Sequence, residues 1–197
     1  MTDKFQNKYR IPSARLQNWD YRWAGACFIN ICTKNREHYF GKIENGKMQL
    51  SEIGRIVERE WIKTFDMRPD MNLQMGEFVV MPNHFHAIII IGENEYNKRD
   101  GGDTSTLLQP HDVSTPPPHK TDKPKNRFGS QSKNLASIIR GFKIGVTTNA
   151  RIINPEFAWQ RLFHDHIIRN EQSFKQKQTY IKENPAKWVN DKFYNKK

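Results

Sequence analysis

The spacing of hydrophobic and polar positions changes along the chain, and each spacing predicts an element. Residues 21–33 are rich in aromatic and β-branched side chains, and residues 28–33 fall into two alternating sets, which predicts a first strand. After Ser51, a suitable N-cap, apolar residues recur at helical spacing until Pro69 stops the pattern. These apolar positions are Ile53, Ile56, Val57, Trp61 and Phe65. The chain therefore begins with a strand followed by a helix.

Two neighbouring strands come next. Residues 72–80 have an extended pattern, Met81-Pro82-Asn83 forms a turn, and residues 84–91 are extended again, ending in an almost wholly apolar run. These two strands are predicted to pair directly, because only a short turn separates them.

The last third of the chain predicts a helix, a strand and a second helix. Apolar residues from position 135 to 146 line one side of a helix that starts near Lys133. Residues 159–168 have the composition of a fourth strand. Asn170 is a suitable N-cap for the last helix, which ends at Asn184 because a proline follows.

The resulting order, β-α-β-β-linker-α-β-α, is typical of an α+β, ferredoxin-like domain: an antiparallel sheet with helices on one face, here extended by a C-terminal helix. The linker covers residues 92–130. Of its 39 residues, five are Pro and four are Gly, and few are apolar, so it contributes little to a core. We interpret residues 1–197 as a single domain interrupted by this flexible linker.

Charge favours a polyanionic partner. Lys and Arg number 32 against 21 Asp and Glu, giving a net charge of +11 and a pI near 9.7, and such a surface gains affinity for nucleic acid by releasing counterions.

The longest apolar run, residues 87–91, is far shorter than a bilayer span, and residues 1–8 are too polar for a signal peptide. We therefore expect a cytoplasmic protein.

The two cysteines exclude some chemistry. Cys27 and Cys32 lie five positions apart in a predicted strand, which places them on opposite faces and too far apart for a disulfide. No C-x-x-C pair is present either. We expect two buried thiols rather than a cysteine zinc site or a redox centre.

Paired histidines are the strongest sign of chemistry. His84 and His86 flank Phe85 in a predicted strand, so both imidazoles face one side and can bind a single divalent metal. A second pair, His164 and His166, flanks Asp165, which would point to the opposite face. We interpret this second pair as polar residues at a strand end, or as support for a site elsewhere.

A tyrosine and an amide share one side of the last helix. Tyr180 and Asn184 are spaced i, i+4, which places their side chains next to each other. An amide oxygen can complete a metal site begun by two histidines, and a hydroxyl beside a metal-bound phosphate can attack it. Two imidazoles and an amide acting on a phosphate suit Mg²⁺ or Mn²⁺.

Three stretches together resemble a known family. Residues 81–88 (MPNHFHAI), 159–171 (WQRLFHDHIIRNE) and 180–185 (YIKENP) resemble the REP-associated tyrosine transposases, a branch of the single-strand, single-tyrosine (HUH) transposases. The resemblance extends over most of residues 21–188. Insertion-sequence relatives usually have Gln where this chain has Asn184.

The resemblance implies an activity and a role for each site residue. His84 and His86 would bind a divalent metal, Asn184 would complete that metal site, and Tyr180 would be the nucleophile. Such an enzyme cleaves and rejoins single-stranded DNA near hairpins through a 5′-phosphotyrosine intermediate. Related transposases differ in whether two subunits exchange the tyrosine helix, so monomer and homodimer both stay open.

Basic and aromatic residues are candidates for DNA binding. Phosphate contacts are predicted for five basic side chains and base stacking for a tryptophan from the alternating trio Trp19, Tyr21 and Trp23. The predicted DNA-binding residues are Arg140, Lys143, Arg151, Arg161, Arg169 and Trp23.

Two other functions compete with the transposase interpretation. One is a non-catalytic module that binds hairpins or single-stranded nucleic acid, although the RNP signature is absent. The other is a metal-dependent hydrolase that uses water, with all four histidines around one or two metals.

Overall fold

The structure is a computed structural model that describes residues 20–98 and 132–194. Trp19 and residues 99–130 of the predicted linker lie outside the described residues. No helix in the described ranges is long and apolar enough to cross a membrane.

Four antiparallel strands form the main sheet. Its central pair is β1 (Gly25–Cys32) and β5 (His84–Ile91), and its edges are β4 (Leu73–Met81) and β6 (His164–Ile168). The order across the sheet is β4-β5-β1-β6. The predicted fourth strand starts later than expected, at His164 rather than at residue 159. In the preceding stretch, Trp159 forms only an isolated bridge with Thr33.

Helices cover both faces of this sheet. Helices α1 (Glu52–Asp66) and α2 (Leu135–Ile153) pack on one face, where the main core includes Ile29, Ile31 and Phe85. Helix α3 (Glu171–Glu183) lies on the other face, where its Ile181 joins a smaller cluster from the sheet. This cluster consists of Phe28, Ile88, Ile168 and Ile181. The predicted α+β fold is confirmed, with the C-terminal helix opposite the other two.

Helix starts follow the capping residues. Ser51 Oγ accepts a hydrogen bond from the Gly54 N–H at 3.0 Å, and Asn170 Oδ1 accepts one from the Ser173 N–H at 2.8 Å, as the sequence predicts. Asn134 and Ser137 form a reciprocal capping box at the start of α2. Helix α3 therefore begins at a fixed residue, which sets the position of Tyr180 along it.

A hairpin between β1 and α1 was not predicted from the pattern. Strands β2 (Gly41–Glu44) and β3 (Lys47–Leu50) pair on either side of Asn45 and Gly46. Both turn residues have positive φ, 51° and 71°, as a two-residue turn of this type requires. The Asn-Gly pair is a strong hairpin signal, but each strand has only four residues.

The first seven residues of the predicted linker belong to the folded domain. Asn94 is buried, and its Nδ2 donates to the carbonyl oxygens of Met71 and Gly92. Asn97 Nδ2 donates to the carbonyl oxygens of Arg22 and Gly92. Residues 92–98 are thus tied to the end of the sheet.

The cysteine prediction is confirmed. Cys27 and Cys32 are both free and buried. Cys27 lies in the main core and Cys32 in a separate cluster with Met81, Trp188 and Phe193.

Candidate active site

The alternation of β5 separates the two histidines from the residue between them. Phe85 enters the main core against α1 and α2, whereas His84 and His86 lie on the face that carries α3. Both imidazoles are almost fully buried, at 0% and 1% exposure, and their ring centroids are 4.5 Å apart. The predicted pairing of the imidazoles on one face is therefore present.

Hydrogen bonds orient the imidazole of His84. Its Nδ1 lies 2.8 Å from Asn83 Oδ1, and Asn83 Nδ2 donates to the carbonyl oxygen of Phe193 at 2.9 Å. Because Asn83 Oδ1 can only accept, the proton of neutral His84 is placed on Nδ1. Its Nε2, buried and without a hydrogen-bond partner in the structure, then carries a lone pair suited to a metal.

Burial keeps both histidines uncharged. It lowers the pKa of His84 to about 3, with further lowering from the positive charges of Lys192 and Arg36. It also lowers the pKa of His86 well below its ordinary value, and His84 adds to this effect. Neutral imidazoles are the form that binds metal ions.

Tyr180 reaches this pair from α3. Its hydroxyl lies 3.3 Å from His86 Nε2 and donates to Asp191 Oδ2 at 3.3 Å. Partial burial and the charge of Asp191 raise the pKa of Tyr180 to about 12. The side chain is still 38% exposed, and a cleft of about 840 Å³ along α3 reaches Tyr180, Asn184 and Asp191.

Asn184 lies one helical turn beyond Tyr180 and keeps a helical conformation, φ −56° and ψ −43°, although a proline follows. It is buried, at 3% exposure. Its Nδ2 donates to Asp191 Oδ2 at 3.2 Å, and its Oδ1 is buried without a hydrogen-bond partner in the structure. The residue predicted as the third ligand thus contacts Asp191 and lines the same cleft as Tyr180.

Asp191 adjoins the candidate site and was not predicted from the sequence. A short 3₁₀ helix, Trp188–Asn190, follows α3 and returns the chain to the site. The buried Trp188 and Phe193 anchor this segment on both sides of Asp191, and Asp191 Oδ1 accepts a hydrogen bond from the Phe193 N–H at 2.7 Å. In the sequence, the only sign of this placement is that the apolar residues Trp188 and Phe193 lie on either side of Asp191.

His84, His86 and Asp191 could hold a metal ion. One ligand atom from each lies within 4.8 Å of the others, close to the roughly 3–4 Å expected between donors bonded at about 2.1 Å to one ion. The donor set also fits chemically, because two buried atoms with lone pairs, His84 Nε2 and Asn184 Oδ1, lack hydrogen-bond partners in the structure. Two imidazoles and a carboxylate suit a divalent cation.

The second histidine pair lies apart from this group. His164 and His166 are exposed on edge strand β6, and Asp165 is buried on the opposite side, as alternation predicts. Among the described residues, the group that could hold a metal does not include them. This placement favours polar strand residues over ligands of a second metal.

The predicted DNA-binding residues lie in different places. Arg140, Arg151, Arg161 and Arg169 are exposed, and Trp23 is half-buried. Lys143 Nζ donates to the carbonyl oxygens of Gln160 and Arg161, at 2.6 and 3.4 Å. The three residues on α2 are carried by a helix on the face opposite the histidines. Their contact with DNA stays a prediction.

Comparison with solved structures identifies the fold. The fold is that of a REP-associated tyrosine transposase solved with a bound REP hairpin, with a TM-score of 0.54 and 20% identity over 88% of this chain and 74% of that chain. This confirms, at the level of fold, the resemblance seen in the three motifs. No protein-family model matches the chain.

A sequence relative covers almost the whole chain. It is an uncharacterized protein of Haemophilus influenzae, 39% identical over 196 residues, which span 98% of this chain and 99% of the relative. The chain therefore belongs to the same family as this Haemophilus influenzae protein.

Proposed function

We propose that this protein is a metal-dependent DNA transposase that cleaves and rejoins single-stranded DNA near hairpins through a 5′-phosphotyrosine on Tyr180. The position of the Tyr180 hydroxyl carries the proposal. It lies within 3.3 Å of both His86 Nε2 and Asp191 Oδ2, two members of the group that could hold a metal. A phenol placed between a metal ligand and a carboxylate is positioned as a nucleophile.

The chain's own residues account for the chemical step. Tyr180 Oη attacks the scissile phosphorus, and the bond from phosphorus to the 3′-oxygen breaks. The phenol proton leaves toward Asp191 Oδ2, which already accepts its hydrogen bond. The departing 3′-oxygen takes up the proton that Asp191 received and leaves as a free hydroxyl, and the 5′-phosphate stays on the tyrosine. Attack by another 3′-hydroxyl reverses the step and rejoins DNA.

His84, His86 and Asp191 would hold the metal, with Asn184 as a further donor. We propose Mg²⁺ or Mn²⁺, because a carboxylate and an amide oxygen add hard ligands to the two imidazoles. When bound, such an ion supplies positive charge against the scissile phosphate. Neutral His84 and His86 keep their lone pairs available for it across the physiological pH range.

DNA is the proposed partner. The net charge of +11 favours a polyanion, and the solved transposase of similar fold is bound to a REP hairpin. By this reasoning a hairpin with single-stranded flanks is the substrate to test. Arg140, Lys143, Arg151, Arg161, Arg169 and Trp23 stay candidates for contacts away from the cleaved bond.

A covalent adduct tests the proposal. Labelled single-stranded DNA that carries hairpins is incubated with the protein and Mg²⁺ or Mn²⁺, and a denaturing gel reveals DNA attached to protein. Tyr180→Phe should abolish the adduct and leave DNA binding nearly unchanged. Tyr39→Phe is the matched control, because Tyr39 contacts Phe157 on the other face of the sheet and should retain the adduct.

The outcomes separate the competing functions. DNA binding without an adduct in the native protein would favour the non-catalytic binding module. Cleaved DNA without an adduct would favour a hydrolase that uses water. An adduct that persists in Tyr180→Phe would assign the nucleophile to another residue.

A further inference from the structure

Two basic side chains converge on one aromatic ring beside the candidate active site. The Arg36 guanidinium carbon lies 5.1 Å from the centroid of the Phe193 ring, and Lys192 Nζ lies 4.8 Å from the same centroid. Arg36 Nη1 also donates to the carbonyl oxygen of Lys192 at 3.3 Å. We call Arg36, Lys192 and Phe193 the basic cluster.

The cluster adjoins the metal-binding group. The Phe193 ring centroid is 4.7 Å from that of His84 and 6.1 Å from that of His86. Both cations help to lower the pKa of His84, so their charges act on the site itself. The Phe193 ring therefore lies close both to the two positive charges and to the proposed metal ligand His84.

The backbone that presents Arg36 is strained. Asn35 and Arg36 both have positive φ, 55° and 57°. Asn tolerates this left-handed conformation, but it is unfavourable for an arginine. Such strain concentrates where a side chain has a functional position to hold.

Neither cation forms an ion pair among the described residues. No carboxylate of the described residues lies within 4 Å of Arg36 or Lys192 as an ion pair. Asp191 is adjacent in sequence to Lys192, but its oxygens bond to Tyr180, Asn184 and the Phe193 N–H. Two positive charges thus stand at the site available for an external anion.

We propose that Arg36 and Lys192 bind a backbone phosphate of the DNA strand next to the phosphate that is cleaved. This inference rests on the proposed function, since it places DNA at the histidine site. A planar guanidinium held against a ring can form two parallel bonds to a phosphate, and an ammonium adds a second charge. The cluster would set the position of the strand relative to Tyr180, while the remaining basic surface adds affinity.

A purely structural role makes a different prediction. Arg36 could serve only to hold residues 191–193 in place, through its bond to the Lys192 carbonyl and its contact with Phe193. Its loss would then lower stability without changing how DNA affinity depends on salt. The salt dependence is therefore the measurement that separates the two roles.

The test uses the double variant Arg36→Gln/Lys192→Gln in a Tyr180→Phe background, which cannot form an adduct. Fluorescence anisotropy measures the affinity for hairpin DNA with a single-stranded flank across a series of salt concentrations. Loss of phosphate contacts on a single strand should reduce the slope of log affinity against log salt by roughly 0.7 for each contact. The affinity at low salt should fall about tenfold or more.

Arg55→Gln/Lys63→Gln is the matched control. Both residues are exposed on α1, on the face of the sheet opposite the histidines, and the change in net charge is identical. This control should leave the slope nearly unchanged. Equal slopes for the two double variants would overturn the inference.

Two further variants keep the test decisive. Arg36→Lys should retain most of the slope, because it keeps the charge. If the double variant does not fold, Lys192→Gln alone should lose about half of the effect, and an unchanged slope in it would overturn the inference. The adduct assay on the native protein is separate, so failure of the proposed function and failure of the basic cluster give different results.

Discussion

At the scale of single residues, the site combines two imidazoles with a very low pKa and a phenol with a raised one. Burial is the main cause in each case, because it disfavours whichever form is charged. His84 is neutral above about pH 3 and Tyr180 is neutral below about pH 12. The hydroxyl of Tyr180 therefore needs a partner to lose its proton, which Asp191 and a bound cation can provide.

The buried histidines should make stability fall in acid. An unfolded histidine titrates near pH 6.5, whereas folded His84 titrates near pH 3, so acidification through this window protonates the unfolded chain first. The free energy of unfolding should decrease between about pH 6.5 and pH 3, by up to about 1.4 kcal/mol per pH unit for each buried histidine. Urea unfolding at about pH 7, 6 and 5, with EDTA present, measures it.

A comparison of two histidine variants shows whether His84 causes this pH dependence of stability. His84→Gln should make the dependence shallower and leave the share that buried His86 contributes, whereas His164→Gln, which replaces an exposed histidine of β6, should keep the native slope. The assignment to His84 is wrong if both variants follow the native curve.

Asp191 should be needed for metal binding. Asp191→Asn keeps an oxygen that can accept the Phe193 N–H bond but removes the negative charge, and we expect Mn²⁺ affinity to fall at least about tenfold. Isothermal titration calorimetry with Mn²⁺ alone measures this. Asp66→Asn, an exposed residue at the end of α1, is the control, and equal affinities for the two variants would exclude Asp191 as a ligand.

His84, His86 and Tyr180 could be predicted because strand alternation and helical spacing fix where their side chains point. Asp191 could not be predicted in this way. It follows Asn184 by seven positions, beyond Pro185 and a short 3₁₀ helix, and no periodic pattern crosses such a turn. Its place depends on the packing of Trp188 and Phe193, which only the folded chain reveals.

At the scale of elements, long periodic segments were predicted well and short ones were not. The pattern correctly places the three helices α1, α2 and α3 and the strands β4 and β5. N-cap residues fix where each of the three helices starts. The β2–β3 hairpin was missed because its strands are short and half exposed. It matters for the site, since Ile43 of the hairpin packs in the cluster that contains Trp188.

Two glycines should respond in opposite ways to alanine. Gly41 has φ of +135°, and an added Cβ would overlap the carbonyl oxygen of Gln49, so Gly41→Ala should destabilise the protein by several kcal/mol. Gly141 lies within α2, and a Cβ there meets nothing within 4 Å. Gly141→Ala should therefore stabilise by about 0.5–1 kcal/mol. Urea denaturation compares the two, and a mild effect at Gly41 would contradict the hairpin geometry.

At the scale of the whole molecule, the site is assembled from distant parts of one chain. Tyr180 and His86 are 94 positions apart in sequence and meet within hydrogen-bonding distance. Helix α3 packs on its own sheet through Ile181, Phe28 and Ile88. In this structure one chain supplies both histidines, the carboxylate and the tyrosine.

Mixing two inactive variants tests this assembly. His86→Ala lacks a proposed ligand and Tyr180→Phe lacks the proposed nucleophile, and neither should form an adduct alone. With the whole site supplied by one chain, as in this structure, the mixture should be inactive as well, as judged on a denaturing gel. Recovery of adduct in the mixture would show that α3 is exchanged between two copies.

The packing of α3 against its own sheet also has a consequence for populations of molecules. If one chain suffices for cleavage, the initial rate rises in direct proportion to protein concentration, whereas a site shared by two dissociating copies would lose activity steeply on dilution. Inactive copies mixed with active ones would then lower the amount of cleaved DNA only in proportion to their share of the total protein. A mutant gene expressed beside the native one would be recessive for strand cleavage.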